Sequence, residues 1–575
     1  MRSAQTRDRM VDVLIEAGIR RVFTFPGLGI TWLAPAFYER RNEIEVVLGR
    51  SEQSASIMAQ AYGRLTDTPG VFMAQGPWAA TTGAFGCLEA FFSGTPMMFV
   101  ACTSDYDGMG QYGVYQSMTG DYGAGDVKGS ISHLSKYACL AGRPEEAIFG
   151  MQMALKHCNT PRKGVGALVF KTDFVREDFP QAAKGTLYPT EGYLRYTPPE
   201  PNQAALDALA TMISEADNPV IIAGFGIRQD GGSGGKLLQL ARKIGAAVVT
   251  SPNGKSVIDE TADVCGGTLG TFGGTRAAHR LVAEADMVLV LGASLGADYT
   301  RFRDPNLIRP GEQKIAQVDI DPRNAGWVVP VDLPITADAG DVIDDLLDRQ
   351  WDEAKRQARM GKLGSIKRDN GYDDVIEFDS SPGTVHYVDI FHAMNRYLQE
   401  DDLLVTDAGN NSIWCKHIMR CRTPGQYITP GGTGAMGWGP PAAVGTKMAF
   451  PDKRVTMIAG DGGFMMTMDA VATAKQYNLP ITFVVLNNSG LGMVRDNQLA
   501  NKVFCDLDYV DFAAMANSMG AIGVKVDTVG AYLDALSESH KSASPTVIEV
   551  ALDPEARHFD AIDSEPLVAT TGADR

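Results

Sequence analysis

The chain has 575 residues, 45% of them hydrophobic, with 62 Gly, 29 Pro and a formal charge of −17. That length suggests about three or four domains of a loop-rich globular α/β protein. The charge argues against nucleic acid or an anionic membrane as partner, and no run approaches the ~18 apolar residues of a membrane span. The N-terminal stretch Met1-Arg2-Ser3-Ala4-Gln5 lacks the apolar core of a signal peptide, and the eight Cys are scattered without zinc-site spacing. A reducing cytoplasm is the simplest expectation.

Residues 1–185 read as alternating helix and strand. A helix over Val11–Ala17 precedes a strand, Val22–Phe25, that ends in Pro26-Gly27-Leu28-Gly29. A second strand, Glu45–Leu48, runs into Gly49-Arg50-Ser51-Glu52 and a helix over Gln53–Arg64. Then come a strand at Val71–Ala74, a loop at Gln75–Trp78, a helix over Ala79–Phe92 and a strand at Met97–Cys102. This is the pattern of a doubly wound parallel sheet. Glu52 stands out: it sits at the tip of a strand, before a helix whose near face is small and apolar (Ala55, Met58, Ala59), so its carboxyl should be partly desolvated.

A Pro-rich stretch from Tyr188 to Pro201 reads as a linker. Residues 202–348 form a second α/β domain, with strands at Val220–Ala223, Met287–Leu291 and Ile315–Ile320. Gly224-Phe225-Gly226 would let a phosphate approach and Asp319 would hold a ribose hydroxyl. Residues 351–383, charged and unpatterned, read as a second linker, and residues 384–555 as a third domain. There Leu403–Thr406 is a strand ending in Asp407-Ala408-Gly409-Asn410-Asn411, and Gly431 to Gly437 is a Gly-rich loop. Residues 556–575 are a tail or a lid.

The stretch Val455 to Gly492 carries the most chemistry. An apolar strand, Val455–Ala459, enters the turn Gly460-Asp461-Gly462-Gly463. A helix over Thr467–Tyr477 follows, then a strand over Ile481–Leu486 that ends in Asn487-Asn488-Ser489-Gly490. Both strands thus end in polar residues, at the sheet edge where open parallel sheets bind ligands. The Asp461 carboxylate, the Asn488 amide oxygen and the Gly490 carbonyl are hard oxygen ligands, too few to fill a shell alone. Mg²⁺ shared with a phosphate and water suits such a set. Gly460, Gly462 and Gly463 would let the backbone approach the phosphate.

Gly460-Asp461-Gly462, 24 residues, then Asn487-Asn488 resembles the signature of the thiamine diphosphate-dependent enzymes. Glu52, Ala55, Ala59, Tyr62 and Arg64 resemble that family's glutamate helix. The resemblance covers nearly the whole chain and is greatest to the acetohydroxyacid (acetolactate) synthase large subunit. It implies three doubly wound α/β domains, in the order pyrimidine-binding, central and diphosphate-binding.

The resemblance also implies roles. Glu52 would promote the imino tautomer of the cofactor's aminopyrimidine. Gly409, Asn410, Gly434 and the Gly460–Gly463 turn would meet the cofactor, as would Leu491, Gly492 and Met493, which match the synthase's Leu-Gly-Met-Val segment. Met436 would be the apolar wedge beneath it, and Asp461, Asn488 and Gly490 would hold Mg²⁺. Gln116 is the one residue of Tyr115-Gln116-Ser117 that matches the synthase's active-site Phe-Gln-Glu triplet. Asn497 stands where the synthase usually has Trp, Ser51 where many relatives have His, and the stretch through Asp298 lacks the synthase's Asp-Asp-Arg.

In that family Glu52 and Asp461 act on opposite ends of one cofactor from different subunits, which implies a homodimer or homotetramer. The central domain holds FAD, ADP or nothing. The implied reaction decarboxylates a 2-oxo acid such as pyruvate and passes the acyl carbanion to a second carbonyl. The alternative is a lyase that cleaves a 2-hydroxyacyl-CoA or an acyloin.

Overall fold

The computed structural model describes residues 5–105, 109, 118–121, 125–179, 187–227, 232–498 and 502–558. It contains three six-stranded sheets, each entirely parallel and each flanked by helices. The first holds β1 (Arg21–Phe25), β2 (Glu45–Leu48), β3 (Gly70–Gln75), β4 (Met97–Thr103), β5 (Tyr137–Ala141) and β6 (Val165–Lys171), in the order β2-β1-β3-β4-β6-β5. The second holds β7 (Pro219–Ala223), β8 (Ala247–Thr250), β9 (Cys265–Thr268), β10 (Met287–Leu291), β11 (Lys314–Asp319) and β12 (Leu333–Thr336), in the order β12-β11-β10-β7-β8-β9. The third holds β13 (Leu403–Thr406), β14 (Tyr427–Ile428), β15 (Val455–Gly460), β16 (Ile481–Asn487), β17 (Ile522–Val526) and β18 (Thr546–Ala551), in the order β14-β13-β15-β16-β18-β17. The central strands are buried along their whole length and mostly apolar, as sheets covered on both faces require.

The first and third sheets share one topology, strand for strand. In both, the order reverses beside the first strand, and the crevice at such a reversal is where doubly wound sheets bind ligands. In the third domain the reversal lies between β13 and β15, so Asp407–Asn410 and Gly460–Asp461 emerge side by side. In the first domain it lies between β1 and β3, and the Gln75 side chain occupies the space beside Gly27.

Equivalent helices of these two domains pack on each other. The helix Glu52–Thr66 crosses Gly439–Ala449 closely enough that a Cβ on Gly445 would lie 2.6 Å from the Met58 carbonyl oxygen. Met58, Ala61, Ala442, Ala443 and Met448 then belong to one apolar core that runs through both domains. Phe464, Phe483 and Phe512 pack edge to face within it.

Several elements differ from the sequence expectations. The expected loop at Gln75–Trp78 is the start of a short helix, Gly76–Ala80, and a second helix covers Ala84–Ser93. The Thr81 and Thr82 hydroxyls turn back to the Pro77 and Trp78 carbonyls, at 2.7 and 3.0 Å, and break the run between them. The expected helix over Thr467–Tyr477 is present as Asp469–Gln476, and a further short helix, Asp461–Met466, stands before it where only a turn was expected. Thr467 sits at the break, where its hydroxyl donates to the Gly437 carbonyl at 2.7 Å. The Gly460–Gly463 turn is therefore a strand end followed at once by a helix.

Most of the expected second linker is a helix, Glu353–Asp369, capped by the Asp352 side chain and packed on the central domain through Leu363 and Ile366. Its Arg359 is buried and donates to the carbonyls of Ile244 (2.7 Å), Ile213 (2.8 Å) and Ala216. Arg359→Met should leave three carbonyls without a donor and cost about 3 kcal/mol. Calorimetry should show an earlier unfolding transition. An unaltered transition would mean that the helix is not integral to the domain.

Candidate active site

Four segments meet at the carboxyl end of the third sheet: Asp407–Asn411, Gly431–Gly439, Gly460–Gly463 and Asn487–Asp496. Asp461 begins its helix with a buried side chain, and its Oδ2 accepts the Gly490 N–H at 2.9 Å. A Cβ on Gly462 would lie 2.6 Å from the Leu491 side chain, 3.4 Å from that of Met436 and 3.5 Å from that of Leu507. One on Gly492 would lie 3.2 Å from both the Asn410 and Asn488 amide nitrogens. Thus Met436, Asp461, Gly462, Asn488, Gly490, Leu491, Gly492 and Asn410, each expected from the sequence, come together. Met493 follows, half-buried, on the short helix Gly492–Asp496.

The arrangement has a polar end and an apolar end. At the polar end, Gly409 (φ 107°) caps the helix Asn410–Ile418, a backbone conformation that favours glycine. Asn410 is fixed by Asp496, whose Oδ2 accepts its amide N–H at 2.8 Å and that of His558 Nδ1 at 2.9 Å. The Asn410 Oδ1 is buried and has no hydrogen-bond partner among the described residues. Burial pushes the Asp461 carboxyl above its usual range, against the opposing pull of the Gly462 and Gly490 N–H groups and of Arg495. Among the described residues, nothing lies within 4 Å of a Cβ position on Gly460 or Gly434. At the other end, Met436, Leu491 and Leu507 present aliphatic side chains.

These observations fit a diphosphate bridged to the protein by a divalent cation, next to an apolar ring. A cation would hold a buried carboxyl ionised, and open space at a glycine admits a phosphate. Among the described residues no group of three or more His, Cys, Asp or Glu is placed to hold a metal, so cofactor oxygens and water would have to complete the shell. The Gly490 carbonyl, expected to be free, accepts the Gly492 N–H at 3.1 Å, which leaves one lone pair for a cation.

Asn487 serves the scaffold instead. Its amide donates to Glu549 at 3.0 Å and to the Val510 carbonyl at 3.1 Å, and its oxygen accepts the Ser489 N–H.

Asp407 is a site residue that the sequence reading missed. It is buried, and Gly463 has a Cβ position filled by its Oδ2. Its two oxygens accept the N–H groups of Gly437 (2.9 Å) and Gly439 (3.0 Å), so it binds the loop of Met436 to the Asp461 helix. Burial pushes its pKa up to about 6, against those N–H groups. The available signal was an acidic residue ending a strand beside a Gly-Asn pair.

Glu52 starts its helix half-buried, beneath the N-cap Ser51, whose Oγ accepts the Ser54 N–H at 3.1 Å. Ser51 and Ser54 both donate to Asp469 of the third domain, at 3.2 and 2.9 Å. Ser51, noted only as a departure from the family, thus caps the helix and ties two domains together. Gln116 and Ser117 lie outside the described residues. Asn497 donates to the Met493 carbonyl at 2.8 Å. Asp298 accepts the Phe272 N–H at 3.0 Å within the central domain.

The central domain's expected nucleotide residues are engaged elsewhere. A Cβ on Gly226 would lie 2.6 Å from the Gly292 Cα, and the Gly224 and Gly226 N–H groups each bond across to β10 and its turn at 2.9 Å. These glycines let two strand ends meet. Asp319 Oδ1 accepts the Asp321 N–H at 2.9 Å and the Asn324 amide at 3.2 Å. The two glycines are thus packed against β10 and its turn, and Asp319 is held within its own turn.

Three family models match the chain in order: the thiamine pyrophosphate (thiamine diphosphate) enzyme N-terminal TPP binding domain over residues 4–123, central domain over 206–346 and C-terminal TPP binding domain over 407–550. The chain is 27% identical over 564 residues to a probable acetolactate synthase large subunit of Methanocaldococcus jannaschii, covering 95% of this chain and 92% of that one. It is 27% identical over 584 residues to the acetolactate synthase large subunit of Haemophilus influenzae, covering 97% and 96%. It is also 26% identical over 554 residues to YdaP, a putative thiamine pyrophosphate-containing protein of Bacillus subtilis, covering 95% and 91%. The chain therefore belongs to the thiamine pyrophosphate enzyme family, with three α/β domains in that family's order.

Proposed function

We propose that this chain is a magnesium- and thiamine diphosphate-dependent enzyme of the acetolactate synthase type. It would release CO₂ from one 2-oxo acid, such as pyruvate, and join the remaining acyl group to the carbonyl carbon of a second, with uptake of one proton. When bound, thiamine diphosphate supplies a nucleophilic carbon and an electron sink for the departing CO₂. The observation that carries the reading is the slot itself: Asp461, Gly490 and Asn488 at one end, Met436 and Leu491 at the other, in a chain similar throughout to acetolactate synthase large subunits.

Asp461, Asn488 and the Gly490 carbonyl would hold Mg²⁺, and the backbone at Gly409, Gly460, Gly462 and Gly463 would meet the diphosphate. Glu52 would hold a proton against the pyrimidine ring nitrogen, and Gln116 would face the substrate. Leu88, Phe91 and Phe92 share one exposed apolar face of the helix Ala84–Ser93, and Trp78, Met465 and Met466 are also exposed. Such residues support assembly as a homodimer or homotetramer that covers them. All eight cysteines are free thiols, seven of them buried, which supports a reducing compartment. Among the described residues no helix is long and apolar enough to cross a membrane.

A second reading is a lyase acting on a 2-hydroxyacyl-CoA or acyloin. Asn497 favours it, since its amide is tied to its own helix where the synthase usually places a Trp.

Purified protein with Mg²⁺, thiamine diphosphate and pyruvate should yield both acetolactate and CO₂. Pyruvate left intact, with carbonyl products from 2-hydroxyacyl thioesters, would replace the synthase reading by the lyase. A flavin absorption band in the purified protein would assign FAD to the central domain, and its absence would leave ADP or no nucleotide there.

A further inference from the structure

We propose that Glu89 is a positioning residue: reaching from the first domain, it sets the conformation of the Gly431–Gly439 loop and, through Met436, the shape of the cofactor slot. The proposal rests on the reading of that slot as a thiamine diphosphate site.

Glu89 lies on the helix Ala84–Ser93 and is 0% exposed. One of its carboxylate oxygens accepts the Gly432 N–H. The other accepts the Thr433 N–H at 3.0 Å and the Thr433 hydroxyl at 2.7 Å. A buried carboxylate is expensive unless it is fully hydrogen-bonded, and here one short exposed loop supplies all three donors. Gly432, Thr433 and Gly434 are solvent-exposed, and Gly434 takes a left-handed backbone (φ 62°) with none of the described residues within 4 Å of its Cβ position.

What fixes the loop comes largely from the other domain. Arg64 donates to the Thr429 carbonyl at 2.6 Å and stacks 4.4 Å over Phe225 of the central domain. Gln60 accepts the Trp438 indole N–H at 2.9 Å. Asp407 holds the far end at Gly437 and Gly439. Between these anchors Asn253 of the central domain donates to the Gly431 carbonyl at 2.6 Å, and Glu89 grips Gly432 and Thr433, the latter three residues before Met436. A Cβ on Gly432 would lie 2.5 Å from that of Phe92, so the loop seats directly on the helix that carries Glu89.

The test is Glu89→Gln, which keeps shape and size. Its amide NH₂ must face one of the loop's N–H donors, so at least one hydrogen bond is lost. Hydrogen–deuterium exchange across residues 431–437 of the cofactor-free protein should speed up about tenfold. With Mg²⁺ and thiamine diphosphate, the near-ultraviolet circular dichroism of the bound cofactor should change. kcat should fall about tenfold with KM changed far less, as misplacement of the reacting groups predicts. If Glu89→Gln does not fold, Thr433→Val removes one donor from an exposed position and should raise loop exchange in the same direction. Wild-type exchange in the variant that folds overturns the role of Glu89. Faster exchange with a wild-type cofactor spectrum, and likewise a wild-type spectrum for Met436→Ala, overturns instead the assignment of this loop to the cofactor slot, and the proposal with it.

Discussion

Replacing Glu52 by Gln should lower turnover by about two to three orders of magnitude while cofactor affinity changes little, the range for a lost acid–base partner. The helix is capped by Ser51, and its entry is fixed by the Ser51 and Ser54 bonds to Asp469, none of which involves the Glu52 carboxyl. Glutamine keeps the volume and removes the ability to hold a proton against a ring nitrogen and release it. The variant should fold with an unchanged melting temperature and bind thiamine diphosphate. It should exchange the cofactor's thiazolium proton slowly, as measured by NMR after quenching in deuterium oxide. Full turnover in either Glu52→Gln or Glu52→Ala would remove Glu52 from the chemistry.

The sequence exposed the parts of the site that are local in the chain. Gly460-Asp461-Gly462 and Asn487-Asn488 each sit at a strand end, where the apolar run before them fixes their direction. β2, β10 and β13 were read with the ends that the structure has. Interactions between segments far apart in sequence were hidden. Asp407 reads as one more acidic residue until the fold brings Gly437, Gly439 and Gly463 to its carboxylate. Glu89 reads as a solvated helix charge until the third domain lays a loop on it. The helix Glu353–Asp369 was masked by its charge and by Gly361 and Gly364, because Arg359 faces inward through carbonyl acceptors that no periodicity announces. The Gly224-Phe225-Gly226 turn has a structural role that its sequence does not show. Glycine is needed there to let β7 and β10 close on each other.

Asp461→Asn should abolish metal-dependent stabilisation without destabilising the cofactor-free protein. The asparagine oxygen can still accept the Gly490 N–H, so the turn keeps its shape. The substitution also removes a carboxylate that burial makes unfavourable, so the melting temperature without ligand should stay level or rise. A cation held at this position recovers that cost through its charge, and the neutral amide forgoes it. For the wild type, Mg²⁺ and thiamine diphosphate at 100 times the dissociation constant should add about 2.7 kcal/mol of stability. The variant at the same concentrations should gain almost none, and a shift equal to that of the wild type would remove Asp461 from the metal. The same variant tests the assembly. If Glu52 serves the cofactor bound by Asp461 of a second copy, mixed oligomers of Glu52→Gln and Asp461→Asn must contain sites with both residues intact, and activity must return on mixing unfolded chains and refolding them together. If both residues serve a site within one chain, every site in the mixture carries a lesion, and no activity returns.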